Sequence, residues 1–171
     1  MKKIILAATI FFLITGCTLM SVAKQEFTLE RRFSNDNSIS VEIPSDWHFI
    51  GGPSSIEAYS KNRNEVPFLD GVVYRIRRQL SLSEFSGEYY EHLLAKGFSQ
   101  IGEKHISGEN EVIVREFLKN KSSINDTEDS LYGITISIRD GGSYGFFTLL
   151  TNKEDYDSNR AFYEKILAAI K

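Results

Sequence analysis

The chain has 171 residues, 42% of them hydrophobic, with 12 Phe, 8 Tyr and one Trp. That content excludes a largely disordered chain and suits one domain with a true core. Formal net charge is −3; without Lys2 and Lys3 the 20 basic residues become 18 against 23 acidic ones, a net of −5. An acidic balance argues against nucleic acid as the main partner.

Met1-Lys2-Lys3 forms a positive start, Ile4 to Ile14 an apolar run broken only by Thr9, and Thr15-Gly16 a small-residue exit. This is the order of a secretory signal over residues 1–16, and the run is too short to span a bilayer comfortably. Ile14-Thr15-Gly16-Cys17 resembles the lipobox of bacterial lipoproteins. The resemblance implies a diacylglyceryl group on the sulfur of Cys17, cleavage just before it and acylation of the new amine. Each buried CH₂ adds about 0.8 kcal/mol, so two or three acyl chains, palmitate among them, make a lasting membrane anchor. Thr18, not Asp, follows Cys17, and the resemblance to Gram-negative lipoproteins implies that this favours transfer to the outer membrane. The expected address is therefore the cell envelope, the outer membrane if the cell is Gram-negative, with the domain on the periplasmic or extracytoplasmic side. Cys17 is also the single cysteine, so no intramolecular disulfide is available. Residues 17–26 make a short tether. Its nine residues after Cys17 reach roughly 30 Å fully extended.

The remainder, residues 27–171, reads as one α+β domain, a mainly antiparallel sheet flanked by helices. Strand patterns cover 27–33, then Ile39, Val41 and Ile43 before Pro44, then 56–59 and 72–77. Ser81-Leu82-Ser83-Glu84 has capping-box spacing and opens a helix. Phe85, Tyr89 and Leu93 mark its apolar face, and Lys96-Gly97 its stop. A hairpin follows over 101–106 and 111–119, turning at Ser107-Gly108-Glu109-Asn110. Residues 120–130 form a polar loop. Strands over 131–139 and 144–150 are joined through Asp140-Gly141-Gly142, and Thr151-Asn152-Lys153-Glu154 suggests a second capping box before one closing helix. Phe146 and Phe147 must point to opposite sheet faces, so helices are expected on both.

With these elements in place, the mature chain resembles the PsbP-like family, which includes PsbP photosystem subunits, Ran-binding nucleotide-release factors and DcrB-type lipoproteins. The resemblance rests on Phe33 through Trp47, where Ser38 to Ile43 forms a strand and Pro44-Ser45-Asp46-Trp47 follows, and on Tyr132 through Ile170 with Phe162-Tyr163-Glu164-Lys165-Ile166-Leu167 in the last helix. It implies an α-β-α sandwich, and a physical reading of the residues agrees: Pro44 stops a strand and Trp47 is placed to plug the sheet's open end. The family shares a fold more than a function, and its members are largely accessory and binding proteins.

Several local patterns invite a chemical reading. Gly141-Gly142-Ser143-Tyr144-Gly145 matches the G-x-S-x-G nucleophile elbow, but that device needs a helix after the serine, and Phe146 to Leu150 reads as a strand. A hairpin turn is expected. Asp155-Tyr156-Asp157-Ser158-Asn159 resembles the start of an EF-hand loop, yet Arg160 replaces the required Gly and Ile166 the final Glu. Acidic residues in a first helical turn explain it better. His48, His92 and His105 show no metal-ligand spacing, so neither metal nor cofactor is expected; His92 is read as lying on an exposed helix flank. Arg31 and Arg32 in one strand and Arg75, Arg77 and Arg78 in another are a candidate binding surface, a basic stripe if those strands are neighbours.

The function expected is a non-catalytic accessory or adaptor lipoprotein, membrane-held, that binds an envelope or exported protein. The alternative is a carrier of a small molecule or lipid in an aromatic-lined pocket between sheet and helix. A hydrolase ranks third, since no Ser, His and carboxylate are placed together.

Overall fold

A computed structural model of the chain describes residues 28–62, 65–76, 80–107, 110–120, 130–140 and 142–170. The leader, Cys17, the tether, Arg77, Arg78 and most of the expected 120–130 loop lie outside the described residues.

Nine strands and three helices follow in order: β1 (Leu29–Phe33), β2 (Ser40–Pro44), β3 (His48–Gly52), β4 (Ser55–Tyr59), β5 (Phe68–Arg75), α1 (Leu82–Ala95), β6 (Ser99–Ser107), β7 (Glu111–Lys119), β8 (Leu131–Asp140), β9 (Ser143–Asn152), α2 (Lys153–Ser158) and α3 (Arg160–Ala168). β1 and β2 form a separate antiparallel hairpin. The other strands make one antiparallel sheet in the order β3-β4-β5-β9-β8-β7-β6. This is the α+β architecture the patterning requires, with β5 against β9 joining the two halves of the chain.

The sheet is buried on both faces, as Phe146 and Phe147 demanded. Phe147, with Ile134, Ile136 and Leu149, meets the β1–β2 hairpin and α2–α3 in the main core. There Ile39, Val41 and Ile43 are fully buried and Trp47 is nearly so. Phe146 packs on the opposite face with Leu82, Phe85 and Tyr144 in a second core under α1. Burying one such large apolar side chain stabilises by roughly 1.5–3 kcal/mol.

Helix α1 begins as its spacing predicts. The Ser81 hydroxyl accepts from the Glu84 backbone N–H, and the Glu84 carboxylate accepts from the Ser81 N–H. Gly97 ends it at φ +84°, with the Phe98 N–H bonded back to the Leu93 carbonyl at 3.2 Å.

Four expectations need correction. A strand, β3, follows Trp47 where none was expected. β5 starts at Phe68, four residues before the expected Val72. The single closing helix is two, broken at Asn159, whose φ of −122° departs from helical geometry. The second capping box also fails: the Asn152 side chain makes no capping hydrogen bond to the start of α2, while the Thr151 hydroxyl donates 3.0 Å to Asp155.

Candidate functional site

Helix α1 lies over the β6–β9 side of its face and reaches the Val72–Tyr74 end of β5; β3, β4 and the Phe68–Gly71 part of β5 stay open beside it. The result is a groove of about 600 Å³ with strand residues as its floor and one flank of α1 as its wall.

Strand register builds the floor in rows. His48 pairs with Tyr59 and Tyr59 with Phe68; Ile50 pairs with Glu57 and Glu57 with Asp70; Gly52 pairs with Ser55 and Ser55 with Val72. Alternation along each strand sends all nine to the same face. The first row is aromatic, with the His48 and Tyr59 rings 5.2 Å apart. The second carries two adjacent carboxylates, and the third is made of small side chains. On the wall stand Tyr89, His92, Leu93 and Lys96. Tyr89 stacks on Phe146 with centroids 4.1 Å apart, which closes the groove's inner end. Ile50 is 45% exposed and Tyr74, farther along β5, 42%.

Asp70 sits on the floor, exposed to the groove but flanked by its walls. Its carboxyl is pushed up to about 6. Loss of water around the charged form is the main cause, opposed by a hydrogen bond from Thr148; neighbouring Glu57 raises it further and Lys96 lowers it.

The polar row continues beneath α1. Thr148 pairs with Thr135, Thr135 with Arg115, and Arg115 with Glu103. Arg115 is only 8% exposed. Its Nη1 donates 2.7 Å to Ser86 Oγ of α1, and its Nε donates 2.7 Å to Glu103. The guanidinium also lies 5.5 Å from the Tyr90 ring centroid. Hydrogen bonds from His105 and then Arg115 hold the Glu103 carboxyl down at about 2. One sheet face thus carries a sealed cationic end under the helix and an open acidic end in the groove.

The sequence-predicted residues are placed differently. β1 and β5 lie in different sheets, so the strand adjacency on which a joint arginine stripe depended is not found. Arg31 donates 2.6 Å to Glu42, and Arg32 donates 2.6 Å to Glu30; Arg75 is exposed at the end of β5, opposite Ser143. Ser143 opens strand β9 directly after the turn, so the G-x-S-x-G segment is a hairpin. Asp155 belongs to α2 and accepts bonds from Thr151, Asn159 and Tyr163. His92 is exposed, as expected for its helix flank, but it faces the groove. Among the described residues no group of three or more His, Cys, Asp or Glu is placed to hold a metal.

Sequence reasoning missed Asp70 and Glu57. The available signal was a lone carboxylate in the otherwise apolar run Phe68-Leu69-Asp70-Gly71-Val72, which a strand covered on both faces would not accommodate and which therefore marks an open stretch of one face.

No protein-family model matches the chain, and no curated protein matches it in sequence. Solved structures do. The solution structure of cyanobacterial PsbP from Synechocystis superposes with a TM-score of 0.61 at 10% identity, over 85% of this chain and 93% of that one. The crystal structure of the Saccharomyces cerevisiae Ran-binding protein Mog1p gives a TM-score of 0.56 at 9% identity, over 85% and 96%. The domain therefore has the PsbP-like fold; at such identities the likeness is one of fold.

Proposed function

We propose that this chain is an envelope lipoprotein, anchored through acylated Cys17, whose PsbP-like domain is a non-catalytic adaptor that binds an envelope or exported protein in the groove beside α1. The uncovered β3–β5 face carries the reading. A sheet otherwise buried on both sides leaves an aromatic and apolar surface open there, and such surfaces mark interaction sites. The Ran-binding neighbour on the same fold lends it support. Outer-membrane attachment in a Gram-negative cell, with the domain on the periplasmic side, follows from Thr18 after Cys17.

Two measurements test this. A clickable fatty acid fed to cells should label the wild-type chain in the membrane fraction and not Cys17→Ala; an unlabelled wild type ends the lipoprotein reading. A photo-crosslinking amino acid in place of Ile50 should capture one reproducible protein partner, whereas the same group in place of Ile106, on the opposite face, should not. Capture of nothing from position 50 ends the adaptor reading.

One observation favours a second reading, the carrier. On the other sheet face a trough of about 660 Å³ runs between α3 and β6–β8, lined by Val112, Val114, Ile136, Ile138 and Leu167. Native mass spectrometry of the full chain released from detergent would show retained small ligand if that reading holds, and bare protein if it does not.

A further inference from the structure

The groove's chemistry is more selective than an apolar patch would be. Its floor sets two carboxylates, Glu57 and Asp70, at directly paired positions of neighbouring strands. Residues directly opposite on one face have Cβ atoms roughly 4.5–5.5 Å apart, so a single cationic group can meet both. Two aromatic residues line the groove with them, Phe68 on β5 and Tyr89 on α1, and aromatic rings attract cations. Ile50, Val72 and Leu93 supply apolar surface on either side. Calcium and magnesium take six or more oxygens, which two carboxylates in an aromatic trough do not provide, and among the described residues no group of three or more His, Cys, Asp or Glu is placed to hold a metal. An anionic headgroup would meet like charge.

The complementary ligand has a cation at the end of an apolar stem. We propose that the groove docks one basic side chain, a lysine or arginine, of a partner protein, with its charged end at Asp70 and Glu57 and its stem against the aromatic walls. This deepens, and rests on, the adaptor reading above. The groups that face the docked charge are His48 from β3, Glu57 and Tyr59 from β4, Asp70 from β5, and Tyr89, His92 and Lys96 from α1. Lys96 at the helix C-cap is the competing cation. It sets a threshold that a partner's basic residue must exceed, which makes the site selective for a well-placed charge. Asp70 takes a hydrogen bond from Thr148 and feels Lys96 only through space, so its carboxylate has capacity left for an incoming donor.

The test uses the full chain in detergent, followed by NMR at neutral pH. The probes are a short acetylated peptide with one lysine between apolar residues, the same peptide with norleucine instead, and cadaverine as a free amine. The lysine peptide should shift Ile50, Val72 and Leu93, and the norleucine peptide should bind roughly tenfold more weakly. Asp70→Asn should reproduce that loss for the lysine peptide, and Lys96→Met should tighten it. Equal binding of the two peptides, shifts in the far trough instead, or indifference to both substitutions overturns the proposal. Cadaverine binding as tightly as the peptide also overturns it, in favour of a free amine ligand. Equal peptide binding alongside a crosslinked partner from position 50 retires the basic anchor and leaves the adaptor standing. Absent crosslinks retire the adaptor itself.

Discussion

Gly71→Ala should destabilise the domain by about 1–2 kcal/mol. Gly71 of β5 pairs with Phe147 of β9, and the Phe147 ring lies across it. A Cβ at position 71 would sit 2.1 Å from Phe147 Cδ1 and 2.5 Å from Cε1. Optimal carbon–carbon contact is roughly 3.5–4.0 Å, so the ring would have to retreat by more than an ångström. It has nowhere to go. Phe147 is 1% exposed and packed in the main core with Ile134, Ile136 and Leu149, so its retreat would displace other core side chains. Forced overpacking costs about 1–3 kcal/mol. Against this, replacing glycine restricts the unfolded chain and returns about 0.4–1 kcal/mol. The packing cost is the larger, and the melting temperature should fall by roughly 2–8 °C for a domain of this size. Urea denaturation of the single variant, of Phe147→Leu and of the pair measures it. The smaller side chain should absorb part of the Gly71→Ala cost, giving a favourable coupling. A Gly71→Ala variant as stable as wild type, or two additive costs, would refute the close-packed ring.

Arg115→Ala should cost about 2–3 kcal/mol in urea denaturation, since it strips partners from buried Ser86 and from Glu103; Arg115→Met, which keeps the stem, should cost less. Ser137→Ala should stabilise by about 1 kcal/mol, because Ser137 Oγ is buried with no hydrogen-bond partner among the described residues. Asp36 ties the β1–β2 turn to the β3–β4 turn; its carboxylate accepts from Ser54, Ser38 and Ser34, and those bonds hold its pKa well below the usual range. Its stabilisation is present above the unfolded carboxyl pKa of 3.8 and is lost as pH falls below it, so Asp36→Asn should flatten the acid limb of the stability profile. Asp70 has the opposite sign. Its carboxyl pKa is raised from 3.8 to about 6, so the stability it permits at low pH is lost as pH rises from about 4 through 6, and Asp70→Asn should raise the urea midpoint at pH 7.5 and change it little near pH 4.

The local rules read well where one element decides the outcome. The alternation of Ile39, Val41 and Ile43 found the core face of β2, and Ser81 with Glu84 found the first turn of α1. The opposed pair Phe146 and Phe147 announced a sheet covered on both sides. Elsewhere tertiary pairing overrode local signal. β3 is His48-Phe49-Ile50-Gly51-Gly52, and its two glycines and the Pro53 that follows read as a turn until β4 supplies the ladder. The closing helix breaks at Asn159, whose side chain donates to Asp155 of the preceding helix, and no local breaker residue announces it. The groove was the least legible part. Glu57 and Asp70 lie 13 positions apart and meet only through the β4–β5 register. The wall that makes their setting a groove comes from a helix later in the chain. The arginines were visible in the sequence, but β1, with Arg31 and Arg32, and β5, with Arg75, belong to different sheets.

The claim that joins these parts is a membrane-held domain that engages a partner through its open sheet face. The most direct test places the photo-crosslinker at position 50 in cells, once in the chain with its native Cys17 and once in the Cys17→Ala variant. The account predicts one protein crosslinked to the anchored form, with the yield lost or sharply reduced when the anchor is removed. No crosslink from the anchored form, or equal crosslinking by both, would contradict it.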